Sequence, residues 1–233
     1  MPAGFEVYDE KGQLQFNNEL LLYFLRKTGT VTVGNTGGSN SRYVYVPEAQ
    51  AYKNALVGFS GPIDYGIGLF LNGAINFEYV TDAPVGTVYK YYIFETSDKI
   101  TTDINTGIQV FNSSGQITFS STYRVMRSLA VLHTANNDTA TFNGKTLGVV
   151  PTSWCGYNTY GPPQSEEPGY YYQDFSVCAG AIVNNGNTAE TRIIEVPGGR
   201  GDVFGPMPTS TLSAAGKFLV IDVTGIPIGS TFF

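Results

Sequence analysis

Gly4-Phe5-Glu6-Val7-Tyr8-Asp9-Glu10-Lys11-Gly12-Gln13-Leu14-Gln15-Phe16 returns 103 positions later as Gly107-Ile108-Gln109-Val110-Phe111-Asn112-Ser113-Ser114-Gly115-Gln116-Ile117-Thr118-Phe119. Of the thirteen aligned positions, five are identical and five more are conservative. Self-similarity at a fixed spacing marks diverged copies of one structural unit. Each copy also spells a β-hairpin. Phe5 and Val7 alternate with Glu6 and Tyr8, and Leu14 and Phe16 with Gln13 and Gln15, the period of two that divides a strand into a buried and a solvated face. Between the arms lie Asp9-Glu10-Lys11-Gly12 and Asn112-Ser113-Ser114-Gly115. Asp or Asn at the first position accepts a hydrogen bond from the turn backbone, and Gly at the fourth takes a positive φ, giving a type I turn with a glycine bulge. Gly12 and Gly115 are therefore the turn glycines that define the repeat.

The correspondence continues downstream. Lys90-Tyr91-Tyr92-Ile93-Phe94-Glu95 matches Lys217-Phe218-Leu219-Val220-Ile221-Asp222 at an offset of 127, and both runs suit a core strand that closes each copy. Leu69-Phe70-Leu71-Asn72-Gly73 resembles Ala181-Ile182-Val183-Asn184-Asn185-Gly186, with Asn-Gly as a type I′ turn. Asn143-Gly144 signals a further hairpin between Ala140–Phe142 and Lys145–Leu147. Helix is scarce, with about two turns expected after Val46 at Pro47–Lys53, and Gly34–Ser41 reads as a flexible loop.

The expected fold is all-β, with two tandem, duplicated β-sandwich-like domains at residues 1–103 and 104–233. Phe5, Val7, Leu14, Phe16, Tyr92 and Phe94 are expected to be buried, with Val110, Ile117, Phe119, Leu219 and Ile221 as counterparts. The growing offset places insertions in the second copy at Trp154–Tyr172 and Pro197–Ala215, read as long functional loops.

Composition narrows the function classes. Sixteen Tyr, 15 Phe, 28 Gly and 12 Pro, against 14% charged residues, are the profile of many short strands joined by tight turns. A net charge of −6 argues against nucleic-acid binding, which needs a basic face. No apolar run approaches the ~18 residues of a membrane helix, the longest being Leu20–Leu25, which suits a buried strand or short helix. No Sec-type leader is visible, so synthesis and folding in a cytosol are expected; that favours reduced Cys155 and Cys178 over a bridge, while their place in one inserted region leaves a bridge between them open.

Neither a catalytic constellation nor a metal site emerges. His133, the one histidine, lies in an apolar run with no Ser or Cys motif beside it. One His and two Cys separated by 23 residues are a poor zinc set. Glu166-Glu167 are adjacent, so their side chains diverge. The protein is expected to be no enzyme and to need no cofactor. Arg200-Gly201-Asp202 reads as ordinary turn chemistry. The candidate contact loop is aromatic: Trp154, Tyr157 and Tyr160, then Tyr170, Tyr171 and Tyr172. Aromatics in Gly/Pro/Asn loops offer large amphipathic area at low entropic cost, as binding surfaces do. They equally suit a loop that packs onto its own domain, and these two readings stand level.

The repeated Gly-x-x-Val-aromatic-Asp/Asn-x-x-Gly-Gln-x-x-Phe pattern, continued in the second copy by Ser120-Ser121-Thr122-Tyr123-Arg124-Val125, resembles the N-terminal signature of small proteins encoded among the tail-tip and tail-fibre genes of tailed bacteriophages. The first copy departs from it at Asn17–Leu22. The resemblance implies a virion component of the distal tail, made in the host cytoplasm and assembled with other tail proteins. It implies a homo-oligomer, a trimer foremost, or several copies on a trimeric or six-fold hub. A receptor- or carbohydrate-binding module that meets a host surface receptor is the alternative, and a capsid decoration protein a weaker one.

Overall fold

The computed structural model describes residues 6–8, 10, 14–17, 21–36, 39–52, 54–72, 76–100, 107–153, 156–161, 170–195, 201–204, 211–212 and 216–232. The chain is all-β, and its helical segments among the described residues are short 3-10 turns such as Pro47–Ala51. The first half contributes β1 (Glu6–Tyr8), β2 (Leu14–Asn17), β3 (Tyr23–Thr32), β4 (Gly34–Thr36), β5 (Ser39–Val44), β6 (Leu56–Ser60), β7 (Gly66–Asn72), β8 (Asn76–Thr81) and β9 (Val88–Thr96). The second contributes β10 (Gln109–Phe111), β11 (Ile117–Ser120), β12 (Ser128–His133), β13 (Thr139–Thr141), β14 (Leu147–Pro151), β15 (Gly156–Gly161), β16 (Tyr170–Val183), β17 (Thr188–Glu195), β18 (Gly201–Phe204), β19 (Thr211–Leu212) and β20 (Lys217–Asp222).

The duplicated stretch folds twice into the same hairpin. In β1–β2 the pairs are Glu6 with Asn17, Val7 with Phe16 and Tyr8 with Leu14, with a register shift after Val7. In β10–β11 they are Gln109 with Ser120, Val110 with Phe119 and Phe111 with Ile117, with the shift after Val110. Every pair recurs 103 residues on. The second turn has the expected chemistry. Gly115 has φ +76°, and Asn112 Oδ1 accepts the N–H of Ser114 at 3.0 Å and of Gln116 at 2.9 Å. Gly12 lies outside the described residues.

Beyond the hairpins the copies assemble differently from the expectation. The six-stranded sheet has the order β12-β20-β14-β6-β9-β3, and the larger sheet has β13-β17-β16-β7-β8-β5-β4 as its path. The six-stranded order reads alike from both ends once β3 is matched with β12, β9 with β20 and β6 with β14, and the larger sheet matches outward from its middle, β7 with β16 and β8 with β17. The registers support the matching. The β3–β9 pair has a bulge between Leu25 and Lys27, and β12–β20 has one between Ser128 and Ala130, again 103 residues on. A pseudo-two-fold axis therefore passes between β6 and β14 and between β7 and β16. The boundary at 103/104 does not separate two sandwiches, because both sheets run across it. The reason is backbone hydrogen bonding: β6 and β7 would each be an open edge in a lone copy, and here each pairs with its counterpart.

At one edge of the six-stranded sheet, β3 meets the segment that leads into β12 at the other edge. Phe24 bridges Val125, the Leu25 N–H donates to the Arg124 carbonyl at 2.8 Å, and the Met126 N–H donates to the Tyr23 carbonyl at 2.8 Å. Tyr23 and Met126 are themselves counterparts at the 103-residue offset, so this seam also lies on the axis. Further along β3, Thr28 N–H donates to Ser230 C=O at 2.9 Å and Phe232 N–H to Arg26 C=O at 2.8 Å.

The sheet is buried on both faces. Val57, Phe59, Tyr89, Tyr91, Ile93, Leu147, Val149 and Val220 face the larger sheet, where Ile67, Ile182 and Ala189 meet them. Leu25, Tyr92, Phe94, Val150 and Ile221 form a second core on the other face. Of the expected core, Tyr92, Phe94, Ile117 and Ile221 are buried, while Val110, Phe119 and Leu219 are half-buried. Phe5 lies outside the described residues, as do the side chains of Val7, Leu14 and Phe16.

Three local expectations are corrected. Within Gly34–Ser41, Gly34–Thr36 forms β4 and residues 39–41 belong to β5, which pairs with it. Asn143-Gly144 does not close a hairpin, because β13 pairs with β17 in one sheet while β14 pairs with β20 in the other. The β16–β17 hairpin holds, but Asn184, Asn185 and Gly186 all have positive φ, at 51°, 60° and 87°, so its turn is longer than a two-residue type I′ turn.

Glycine sets the spacing at the axis. A Cβ on Gly180 would lie 2.9 Å from Cδ1 of Phe218 and 3.4 Å from Cβ of Val149. Gly180→Ala is expected to cost about 1–3 kcal/mol by forcing the two sheets apart. By calorimetry this lowers the melting temperature by roughly 2–4 °C per kcal/mol; an unchanged melting temperature would show that the contact is not tight.

Candidate functional site

The two insertions of the second copy are where its contact residues were expected, and their described parts, residues 156–161, 170–172, 201–204 and 211–212, are strands. β16 runs fourteen residues where β7 runs seven, and the added length precedes the part that crosses the axis. Onto that extension are built β15 and β18, with β19 added to β15. Tyr157 stands opposite Ser176 and Leu212, and Tyr160 opposite Gln173. Tyr172 stands opposite Gly161 and Asp202, Tyr171 opposite Val203, and Tyr170 opposite Phe204. The five tyrosines thus share one strand pair, whereas Trp154 lies outside the described residues. Runs such as Tyr170-Tyr171-Tyr172-Gln173-Asp174-Phe175 suit a pleated surface, and this preference prevails over the turn-like Gly and Pro around them. Gly201 and Asp202 open β18, and Arg200 lies outside the described residues.

Cys178 is disulfide-bonded, which corrects the expectation of reduced cysteines. It is buried in β16, against Phe218. The chain's other cysteine, Cys155, lies outside the described residues, and its sequence neighbour Gly156 is paired with Val177, the neighbour of Cys178.

His133 ends β12. Its backbone N–H donates to Asp138 Oδ2 at 2.8 Å, and its ring Nδ1 lies 3.3 Å from the same oxygen. Asp138 thereby organises the turn into β13, a structural task. Glu166 and Glu167 lie outside the described residues. Among the described residues no group of three or more His, Cys, Asp or Glu could hold a metal ion, and no helix is long and apolar enough to cross a membrane.

A groove of about 460 Å³ opens beside the seam. Tyr123, Arg124, Val125 and Arg127 line one side, and Asp222, Thr224 and Ile226 the other. Tyr123 is held by Phe24, with ring centroids 5.7 Å apart. Arg124 Nη1 donates to the Gly225 carbonyl at 3.2 Å. Asp222 accepts Lys145 Nζ at 2.8 Å on Oδ2 and the Thr224 N–H at 3.0 Å on Oδ1. Burial works against its charge most strongly, yet the bonds from Lys145 and Thr224 together hold its pKa down to about 2. Its counterpart Glu95, 127 residues earlier, is also buried and lies 3.6 Å from Arg26 Nε. The sequence reading missed this groove because its two sides lie about a hundred residues apart. Tyr123-Arg124-Val125 after the second hairpin and Asp222 at the end of the closing strand are both visible in the sequence, but nothing local says that they meet.

No family model matches the chain, and no curated protein or solved structure matches it.

Two stability predictions follow from these bonds. Cys178→Ala is expected to lower the unfolding free energy by about 3 kcal/mol in urea titrations, the scale for a loop of this order; an unchanged midpoint with and without reductant would show that the bond does not contribute. Asp222 has a folded pKa below its unfolded value, so its contribution is fully present above ~pH 4 and is lost as the pH falls through about 2. Asp222→Asn is therefore expected to cost roughly 2 kcal/mol at neutral pH, with a gap from the parent that closes between ~pH 4 and ~pH 2. A gap independent of pH would contradict the pairing with Lys145.

Proposed function

We propose that the protein is a non-enzymatic component of the distal tail of a tailed bacteriophage, at the tail tip or where fibres attach, and that it acts by protein–protein assembly. The observation that carries this reading is the doubled hairpin, whose sequence pattern resembles that of small tail-tip and fibre-associated proteins. The architecture is compatible with such work: two sheets share cores across the axis, and the second copy adds strands that the first lacks. The contacts in this reading come from the β15–β19 region, and the assembly is a homo-oligomer, a trimer foremost, or several copies on a trimeric or six-fold hub. A second reading, binding of a host surface receptor or glycan, is favoured by the five tyrosines gathered on β15 and the start of β16.

Labelling of virions with an antibody against the purified protein, viewed by electron microscopy, tests the assignment. Label confined to the far end of the tail is expected. Label over the capsid would replace this reading with that of a decoration protein, and virions free of the protein would end both.

A further inference from the structure

The duplication supplies an internal control for each position, and at the groove the two copies part company. Phe24 and Arg127 are counterparts at the 103-residue offset, and each occupies the same place in its sheet. Phe24 is the residue before Leu25, which pairs with Phe94, and Arg127 is the residue before Ser128, which pairs with Ile221. Phe24 is fully buried and packs with Ile100, Ile117 and Tyr123. Arg127 is exposed and stands on the wall of the groove. Where one copy completes a core, the other leaves an opening and sets a guanidinium beside it. A side chain at this position thus has an apolar solution that folds, so the cation is not there for packing.

The charges around the opening run against those of the chain as a whole, which carries 13 Lys and Arg against 19 Asp and Glu. Among the described residues that line the groove, Asp222 is the one carboxylate, and its two oxygens are already engaged by Lys145 and the Thr224 N–H, while Arg124 and Arg127 stand beside it. Arg124 is oriented by its bond to the Gly225 carbonyl. Two guanidinium groups beside one groove present forks of N–H donors that match a carboxylate or a phosphate. Val125 and Ile226 give an apolar strip against which the body of a small molecule can lie.

We propose that this groove binds a small oxyanion-bearing molecule, a carboxylate or a phosphate on a compact polar body, with Arg127 and Arg124 as its cationic contacts. The proposal is independent of the tail assignment, since it rests on the groove and on the comparison between the copies. A volume of about 460 Å³ accepts a single charged sugar or a molecule of similar size.

Calorimetric titration of the full chain with glucose 6-phosphate, glucuronate and glucose at low salt is the test. Saturable binding of one or both anions with a Kd of about 1 mM or tighter is expected, with none for glucose. Binding of the phosphate alone or the carboxylate alone would each support the site and identify its anion. Arg127→Gln should weaken binding at least about tenfold, with the melting temperature unchanged. Arg127→Phe restores the residue of the first copy; it should fold and bind neither anion. Absence of saturable binding by both anions, or binding that survives Arg127→Gln and Arg127→Phe unchanged, would overturn the proposal.

Discussion

The hydrogen bonds between like strands across the pseudo-two-fold axis are the constraint on which the structure depends. At its centre Ile67 stands opposite Gly180, flanked by Gly66 with Ala181 and Gly68 with Ala179. Small residues fill this register because the backbones and the facing sheet come close; a Cβ on Gly68 would run into the carbonyl of Cys178. In the other sheet, Phe59 meets Val149 across the same axis. Without these pairs each copy would present two unsatisfied strand edges and half of each core. The two copies are thus halves of one folding unit, although they remain recognisable as repeats in sequence.

What could be read from the chain follows the range over which each signal acts. The hairpins were legible because Asn112, Gly115 and the alternation around them act within a dozen residues. The buried strands β9 and β20 were legible from unbroken aromatic and β-branched runs such as Tyr91-Tyr92-Ile93-Phe94. The pairing of β6 with β14 and of β7 with β16 was not, since no local feature says that an edge strand will meet its own duplicate rather than another strand of its copy. Composition misled at two places. The Gly- and Asn-rich start of β4 and the Gly/Pro-flanked tyrosines of β15 and β16 have turn chemistry nearby, yet their backbones are paired.

The two copies have diverged most where they no longer need to agree. Their cores keep counterparts in Phe94 and Ile221, and their buried acids in Glu95 and Asp222, although the cations that meet those acids come from different elements, Arg26 in one and Lys145 in the other. The larger departures are the strands added to β16 and the exchange of Phe24 for Arg127. The added strands lie outside the paired registers at the axis, where the fold tolerates change, whereas Phe24 and Arg127 stand at the seam and differ in side chain alone.

The covering of β3 by Arg124–Met126 and by Ser230–Phe232 has a consequence for synthesis. A ribosome adds roughly 5–20 residues per second, so β3 emerges many seconds before the segments that complete its edge. Until then the nascent first half holds strands whose partners have not been made. Its contacts are separated in sequence by up to about two hundred residues, the kind of topology that folds slowly and leaves strand edges available to other chains in the meantime. The fold thereby cannot close until residues 227–232 have been made, and crowding of nascent copies on one messenger becomes a hazard that its sequence has to survive.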